Sequence, residues 1–201
     1  EAAFVNVGAR PNLELATEMG LQIGRYGVQV DAFLQTSEPD VLAAGDCVET
    51  RHFVTGQPAP GALRGPAVMM GRLAAKLLAG HRIEFPGVLN ASACCLAGLC
   101  ASATGLTEEA ARAEAIPTVS ATVDSRSKHR MIEGTKPWTL RLVFDRRRRT
   151  LIGGQIVSFA EAPAKEIDTL SAMILGGMTV EDLTVFSTAG NPDLSSEPSQ
   201  E

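Results

Sequence analysis

A change of rhythm near the middle of the chain constrains the fold more than any other feature. After "FPGVLNAS" (residues 85–92) three strand candidates follow one another: "TVSATVD" (118–124), "WTLRLVFD" (138–145) and "TLIGGQIVS" (150–158). The last two are joined by "DRRRRT", which reads as a solvated hairpin turn. Leu140, Leu142 and Phe144 alternate with Thr139, Arg141 and Val143, as expected for an antiparallel pair with one face more buried. Helices surround these strands. "TEEAARAEA" opens with Thr107 as N-cap and an acidic first turn, "APAKEIDTLSAMILGG" is amphipathic, and "TVEDL" starts another helix. The preceding "SACCLAGLCASATG" is apolar and rich in small residues. The polar, proline-broken end, "TAGNPDLSSEPSQE", reads as a tail.

The first half alternates strands with helices. "AAFVNVG" (2–8) reads as a buried strand stopped by "GARPN", and "LELATEMGL" as a short helix ending near Gly20. "YGVQVD" predicts a short strand through Val28 and Val30, and "VLAAGD" (41–46) a compact buried one. A glycine- and proline-rich loop (56–61) leads into "GPAVMMGRLAAKLLAG", a helix with Pro66 in its first turn and Gly80 at its C-terminal cap. The boundary between the halves falls in residues 85–92. A chain of 201 residues can bury one large core or two modest ones.

Composition narrows the function. With 45% hydrophobic and 20% charged residues the chain belongs among soluble globular proteins, and its formal net charge of −5 opposes a phosphate-binding surface, so nucleic acid is not an expected partner. No apolar run approaches the roughly 18 residues that span a bilayer, and no signal pattern opens the chain. Neither a membrane partner nor export is expected, and the expected location is cytoplasmic. Four cysteines, two of them adjacent, do not resemble the disulfide framework of a small secreted domain. The start without methionine suggests a fragment.

"TSEPDVLAAGDC" (36–47) ends a buried-looking segment on a bare carboxylate, Asp46. In open α/β sheets ligands sit beyond the carboxyl ends of strands, where small residues permit close approach and one acidic side chain holds a polyol hydroxyl. Taken alone, Gly45-Asp46 reads equally well as a capped turn. The helix at 65–80 shifts the balance, because its N-terminus would offer free amides and a positive dipole end to an electron-rich group.

The order "GARPNLELATEMGL", "GVQVDAFLQTSEPDVLAAGDC", "GALRGPAVMMGRLAAKLLAG" resembles the C-terminal half of the flavin-dependent pyridine nucleotide-disulfide oxidoreductases. "ATGLTEEAARAEAI", "WTLRLVFDRRRRTLIGGQIVS" and "EIDTLSAMILGGMTVEDL" are similar to that family's dimerisation domain. The resemblance covers nearly the whole chain. It implies a mixed α/β and α+β fold: the C-terminal part of a FAD-binding three-layer domain, followed by a dimerisation domain of antiparallel sheet plus helices. The implied divisions are residues 1–25, the end of the NAD(P)H-binding domain and crossover; 26–87, the C-terminal segment of the FAD-binding domain; 88–190, the dimerisation domain; and 191–201, the tail. By the same likeness Asp46 holds the ribityl chain of FAD, Gly45 allows close approach, and Pro66 and Ala67 lie under the isoalloxazine.

The glycine-rich loops that seat FAD and NAD(P)H pyrophosphates have no counterpart in the sequence. The chain is therefore expected to be part of a longer, homodimeric enzyme and to be inactive alone. That enzyme would move electrons from NADH or NADPH through FAD to a disulfide, persulfide, oxygen or a protein carrier. The second reading is a non-catalytic dimerisation or interaction module that no longer binds FAD.

Within the family, the branch is narrowed by departures. The glutathione reductase branch carries a histidine before the tail proline, where this chain has Asn191 before Pro192. The branch of coenzyme A disulfide reductases and NADH oxidases, the nearer likeness, has a tyrosine pair where this chain has Lys128, His129 and Arg130. These three read as an exposed loop before they read as an anion site. Cys95 and Cys100 match the C-x-x-x-x-C spacing of the family's redox disulfide, but that pair lies upstream of everything present here, so both read first as small buried hydrophobes, with a redox disulfide between them as the second reading. The same expectation covers Cys47, close to the implied flavin. No spacing of cysteines or histidines suggests a metal site.

Overall fold

The computed structural model describes residues 3, 5 and 7–194 and divides the chain into two units, residues 1–88 and 89–201. The strand expected over residues 2–8 lies partly outside the described residues, at 2, 4 and 6. Positions 3, 5 and 7 belong to no strand, and Val5 and Val7 are largely exposed.

In the first unit a short helix, α1 (Glu14–Glu18), precedes a three-stranded sheet of β1 (Val28–Gln29), β2 (Val48–Arg51) and β3 (Pro58–Pro60). β1 pairs parallel to β2, and β3 antiparallel to it. The predicted strand over 41–46 does not form. Its backbone groups go instead to the preceding loop: the Ala43 N–H donates to the Leu34 carbonyl and the Thr36 N–H to the Val41 carbonyl. Gly45, at φ +94°, then turns the chain, and the ladder begins at Val48.

Helix α2 (Arg64–Leu78) follows. Its end matches expectation: with Ala79 as C-cap, the Gly80 N–H bonds to the Leu77 carbonyl and the His81 N–H to the Lys76 carbonyl, closing a Schellman turn that needs Gly80 at φ +86°. Met70 is its fully buried side chain, packed with Leu34, Val48, Ala59, Phe85 and Val88. Burying a side chain of that size is worth about 1.5–3 kcal/mol. Val68, Met69 and Leu78 remain exposed on other faces of the helix.

The second unit is a five-stranded antiparallel sheet in the order β4-β5-β8-β7-β6. Its strands are β4 (Ser92–Leu96), β5 (Leu99–Gly105), β6 (Thr118–Arg126), β7 (Pro137–Asp145) and β8 (Leu151–Ser158). The unassigned small-residue stretch is thus a tight hairpin, turned by Ala97 and Gly98, both at positive φ. The expected single amphipathic helix is two, α4 (Glu161–Lys165) and α5 (Ile167–Leu175), parted at Glu166. α5 buries Ile167, Leu170, Met173 and Ile174.

"GGQIV" proves to be a packing device. A Cβ on Gly153 would lie 1.8 Å from the Leu106 carbonyl oxygen, and one on Gly154 2.6 Å from Leu170 Cδ1. Two hydroxyl contacts lock helices to sheet: Ser102 donates to the Ala164 carbonyl at 2.8 Å, and Thr104 shares a hydrogen bond with Ser171 at 2.8 Å. α3 (Glu108–Ala113) is capped as predicted, the Thr107 hydroxyl accepting from the Ala110 N–H. Glu108 accepts from Ser120 and pairs with Arg141, which also reaches Thr122. α6 (Val180–Thr184) begins in a capping box between Thr179 and Asp182.

Candidate cofactor-binding site

The four residues expected to meet a cofactor, Gly45, Asp46, Pro66 and Ala67, all fall in the first unit, and one contact explains how the fold brings them together. Gly61 leads into α2. A Cβ there would sit 3.0 Å from Met70 Cε, 3.2 Å from the Val48 carbonyl oxygen and 3.4 Å from that of Gly45, so the backbone passes at close quarters and a side chain would have to push its neighbours back. The Gly61 N–H also donates to the Val48 carbonyl. The start of α2 is thereby held against the turn that carries Asp46. Sequence reasoning missed Gly61, although its glycine- and proline-rich surroundings were visible.

The turn itself is built from local bonds. Asp31 accepts from the Phe33 and Gln35 N–H groups, which seats the buried Leu34 at φ +65°. Leu34 in turn receives Ala43, and the Gly45 carbonyl accepts from the Val48 N–H at 3.1 Å. Asp46 then projects outward: it is exposed and makes no hydrogen bond or ion pair among the described residues. Nothing lies within 4 Å of where a Gly45 Cβ would be, so the space beside that backbone is open.

At the helix start, Leu63 is the N-cap and supplies no side-chain cap. Among the described residues the Arg64 and Gly65 N–H groups find no backbone acceptor, and Pro66 has none to offer. A 15-residue helix presenting two bare amides carries the positive end of its dipole there. Pro66 and Ala67 are half-buried, and Val68 and Met69 add exposed apolar surface. The arrangement suits a ligand with a hydroxylated chain and a flat, electron-rich edge. By this donor set the residues present fit FAD.

Other candidates resolve into structural roles. Cys47 is half-buried; its thiol donates weakly to the Ala44 carbonyl and its carbonyl accepts from Val28. His52 is a buried residue whose Nδ1 accepts from the Val54 N–H. His129 lies in a loop that touches the tail, its N–H donating to the Pro192 carbonyl at 2.9 Å. The basic loop and the tail are therefore neighbours, which their sequence separation hid.

The expectation of burial holds for Cys100 and is corrected for Cys95, and the two are paired and not free. Cys94 and Cys95 are exposed, and Cys95 is bonded to the buried Cys100 in a disulfide across the β4–β5 hairpin. Their direct opposition in the ladder, next to the pair that closes a two-residue turn, supplies the proximity. No group of three or more metal-ligating side chains occurs among the described residues, and no helix there is long and apolar enough to cross a membrane.

Residues 91–200 match the family described as pyridine nucleotide-disulphide oxidoreductase, dimerisation domain, and residues 1–66 the family described as pyridine nucleotide-disulphide oxidoreductase. An NADH oxidase of Methanocaldococcus jannaschii is 33% identical over 97% of this chain and 43% of its own length. The structure of a NAD-dependent persulfide reductase from A. fulgidus superposes with a TM-score of 0.89 and 31% identity, covering 94% of this chain and 35% of the other. A FAD-dependent pyridine nucleotide-disulphide oxidoreductase from Desulfovibrio vulgaris gives a TM-score of 0.72 at 34% identity, over 88% of this chain and 42% of the other. The chain thus spans less than half the length of the proteins it resembles.

Proposed function

Since the chain belongs to the pyridine nucleotide-disulphide oxidoreductase family, we propose that it is the C-terminal part of a homodimeric flavoprotein oxidoreductase driven by NADH or NADPH, with a disulfide, persulfide, oxygen or protein carrier as electron acceptor. FAD, when bound, would accept hydride from the nicotinamide and pass electrons on. The chain's own contribution is to bind and orient. Asp46 accepts hydrogen bonds from the polyol chain, Gly45 lets that chain approach the backbone, and the Arg64 and Gly65 amides face the electron-rich ring edge. Pro66 and Ala67 supply a low surface for the ring system. A cytoplasmic location belongs to the same proposal.

The observation that supports this reading is the junction at Gly61, which packs the approach to an uncapped helix start against the Gly45 carbonyl, one residue before a carboxylate that makes no hydrogen bond or ion pair among the described residues. Flavin retention by the intact protein tests it. Losing a charge-assisted hydrogen bond costs about 1.5–3 kcal/mol, so Asp46→Ala is expected to weaken FAD binding by about 10- to 100-fold, measured by quenching of flavin fluorescence. Unchanged retention would overturn the assignment. A protein that stays dimeric yet never takes up flavin would favour an interaction module.

Support for the homodimer comes from β6, an edge strand. Val119 and Val123, 51% and 41% exposed, stand opposite Phe144 and Leu140 and extend an apolar sheet face. Replacing both valines by aspartate is expected to shift sedimentation from dimer toward monomer. A dimer that survives at micromolar concentration would place the interface elsewhere.

A further inference from the structure

The β4–β5 hairpin carries chemistry that the flavin reading does not use. Its disulfide joins an exposed residue, Cys95, to one that is 2% exposed, Cys100. A cavity of about 280 Å³ opens onto the bond, lined by Cys95, Leu96, Gly98, Cys100, Phe159 and Glu161. On the same sheet face, Ser158 stands directly opposite Cys100 and is fully buried. Its hydroxyl oxygen accepts from the Ala160 N–H, which leaves the hydroxyl hydrogen to donate.

We propose that this hairpin is a thiol–disulfide exchange site for a small organic thiol, entered through the cavity. The incoming thiolate attacks the accessible Cys95 sulfur. The Cys95–Cys100 bond breaks, its electron pair goes to the Cys100 sulfur, and that sulfur takes up a proton. Ser158 is placed to hydrogen-bond the departing sulfur, which burial would otherwise disfavour as an anion. A second thiolate then attacks the sulfur of the first, the mixed-disulfide bond breaks with its electron pair going to the Cys95 sulfur, and that sulfur takes up a proton. Two thiols become one external disulfide, and the protein gains two electrons and two protons as a pair of thiols. Cys94 points to the opposite face of the strand and takes no part.

The cavity also sets a preference. Its one charged side chain, Glu161, is a carboxylate. An anionic thiol is therefore disfavoured relative to a cationic one of equal size.

The intact protein is alkylated at lysis and digested without reductant. The peptide bearing Cys94, Cys95 and Cys100 should carry one alkyl group, and three after mild thiol treatment of the native protein. Reduction by cysteamine should be severalfold faster than by 2-mercaptoethanesulfonate, with both rates normalised to a small-molecule disulfide. Glu161→Gln, a change at an exposed position, should abolish that preference. Three results would overturn the proposal: three alkyl groups from the outset, a bond that resists thiols until the protein unfolds, or a charge preference indifferent to Glu161.

Discussion

The two units differ in how much of their structure is settled by their own backbone. In the second, five strands of five to nine residues share long ladders, and helices close one face through Ser102, Thr104 and the buried stripe of α5. In the first, strands of two to four residues are held by turns, and one helix start is left bare. Regular ladders build a scaffold; irregular turns build the place where a ligand would sit. That division is common wherever function resides in loops positioned by a rigid frame.

The sharpest test is Gly153→Ala. The added methyl would stand 1.8 Å from the Leu106 carbonyl oxygen, so strands or the β5–α3 connection must shift. A loss of at least about 3 kcal/mol in the stability of the second unit is expected by thermal or urea unfolding. Amide exchange in the first unit should stay unchanged. If both units loosen together, they are one cooperative body and the contrast fails.

Met70→Ala asks the converse question. Removing the fully buried side chain of α2 should cost about 2–5 kcal/mol, seen as faster amide exchange in β2, β3 and α2 with the five-stranded sheet unaffected. A cost near zero would mean that the small core of the first unit contributes little.

A smaller effect follows from Glu108. Its carboxyl is held below the ordinary value of 4.5, first by the Ser120 hydroxyl and then by Arg141. A depressed acid contributes stability that is fully present above its unfolded value and is lost as pH falls through the folded one. The second unit should therefore lose melting temperature on acidification across that window, and Glu108→Gln should flatten the acid limb. A limb of equal slope in the variant would assign acid sensitivity to other carboxylates.

What could be read from the sequence tracks the same contrast. α2 was legible because Pro66 and Gly80 mark its ends, and β7 and β8 because alternation and a charged turn mark theirs. The Thr107 cap was equally plain. The segment 41–46 misled, since an apolar run says nothing about where its backbone bonds go, and here they go to a loop. The β4–β5 hairpin escaped because alanine, cysteine and serine give no alternation, and a turn with Ala97 at φ +50° lacks the usual residue at its first position. At the candidate site the sequence supplied the carboxylate and the helix. It could not supply Gly61, whose importance is a matter of distances between backbones.

All five residues of β4 are exposed, and the strand stands at the end of the sheet. An open edge is a template on which a stray strand from another molecule can aggregate. Brevity is one natural defence, for a five-residue border offers an intruder few hydrogen bonds. The hairpin is also clamped one residue from its turn, which limits how far β4 can peel away and lengthen that border. Opening the clamp would thus change the solubility of the protein before it changed its shape.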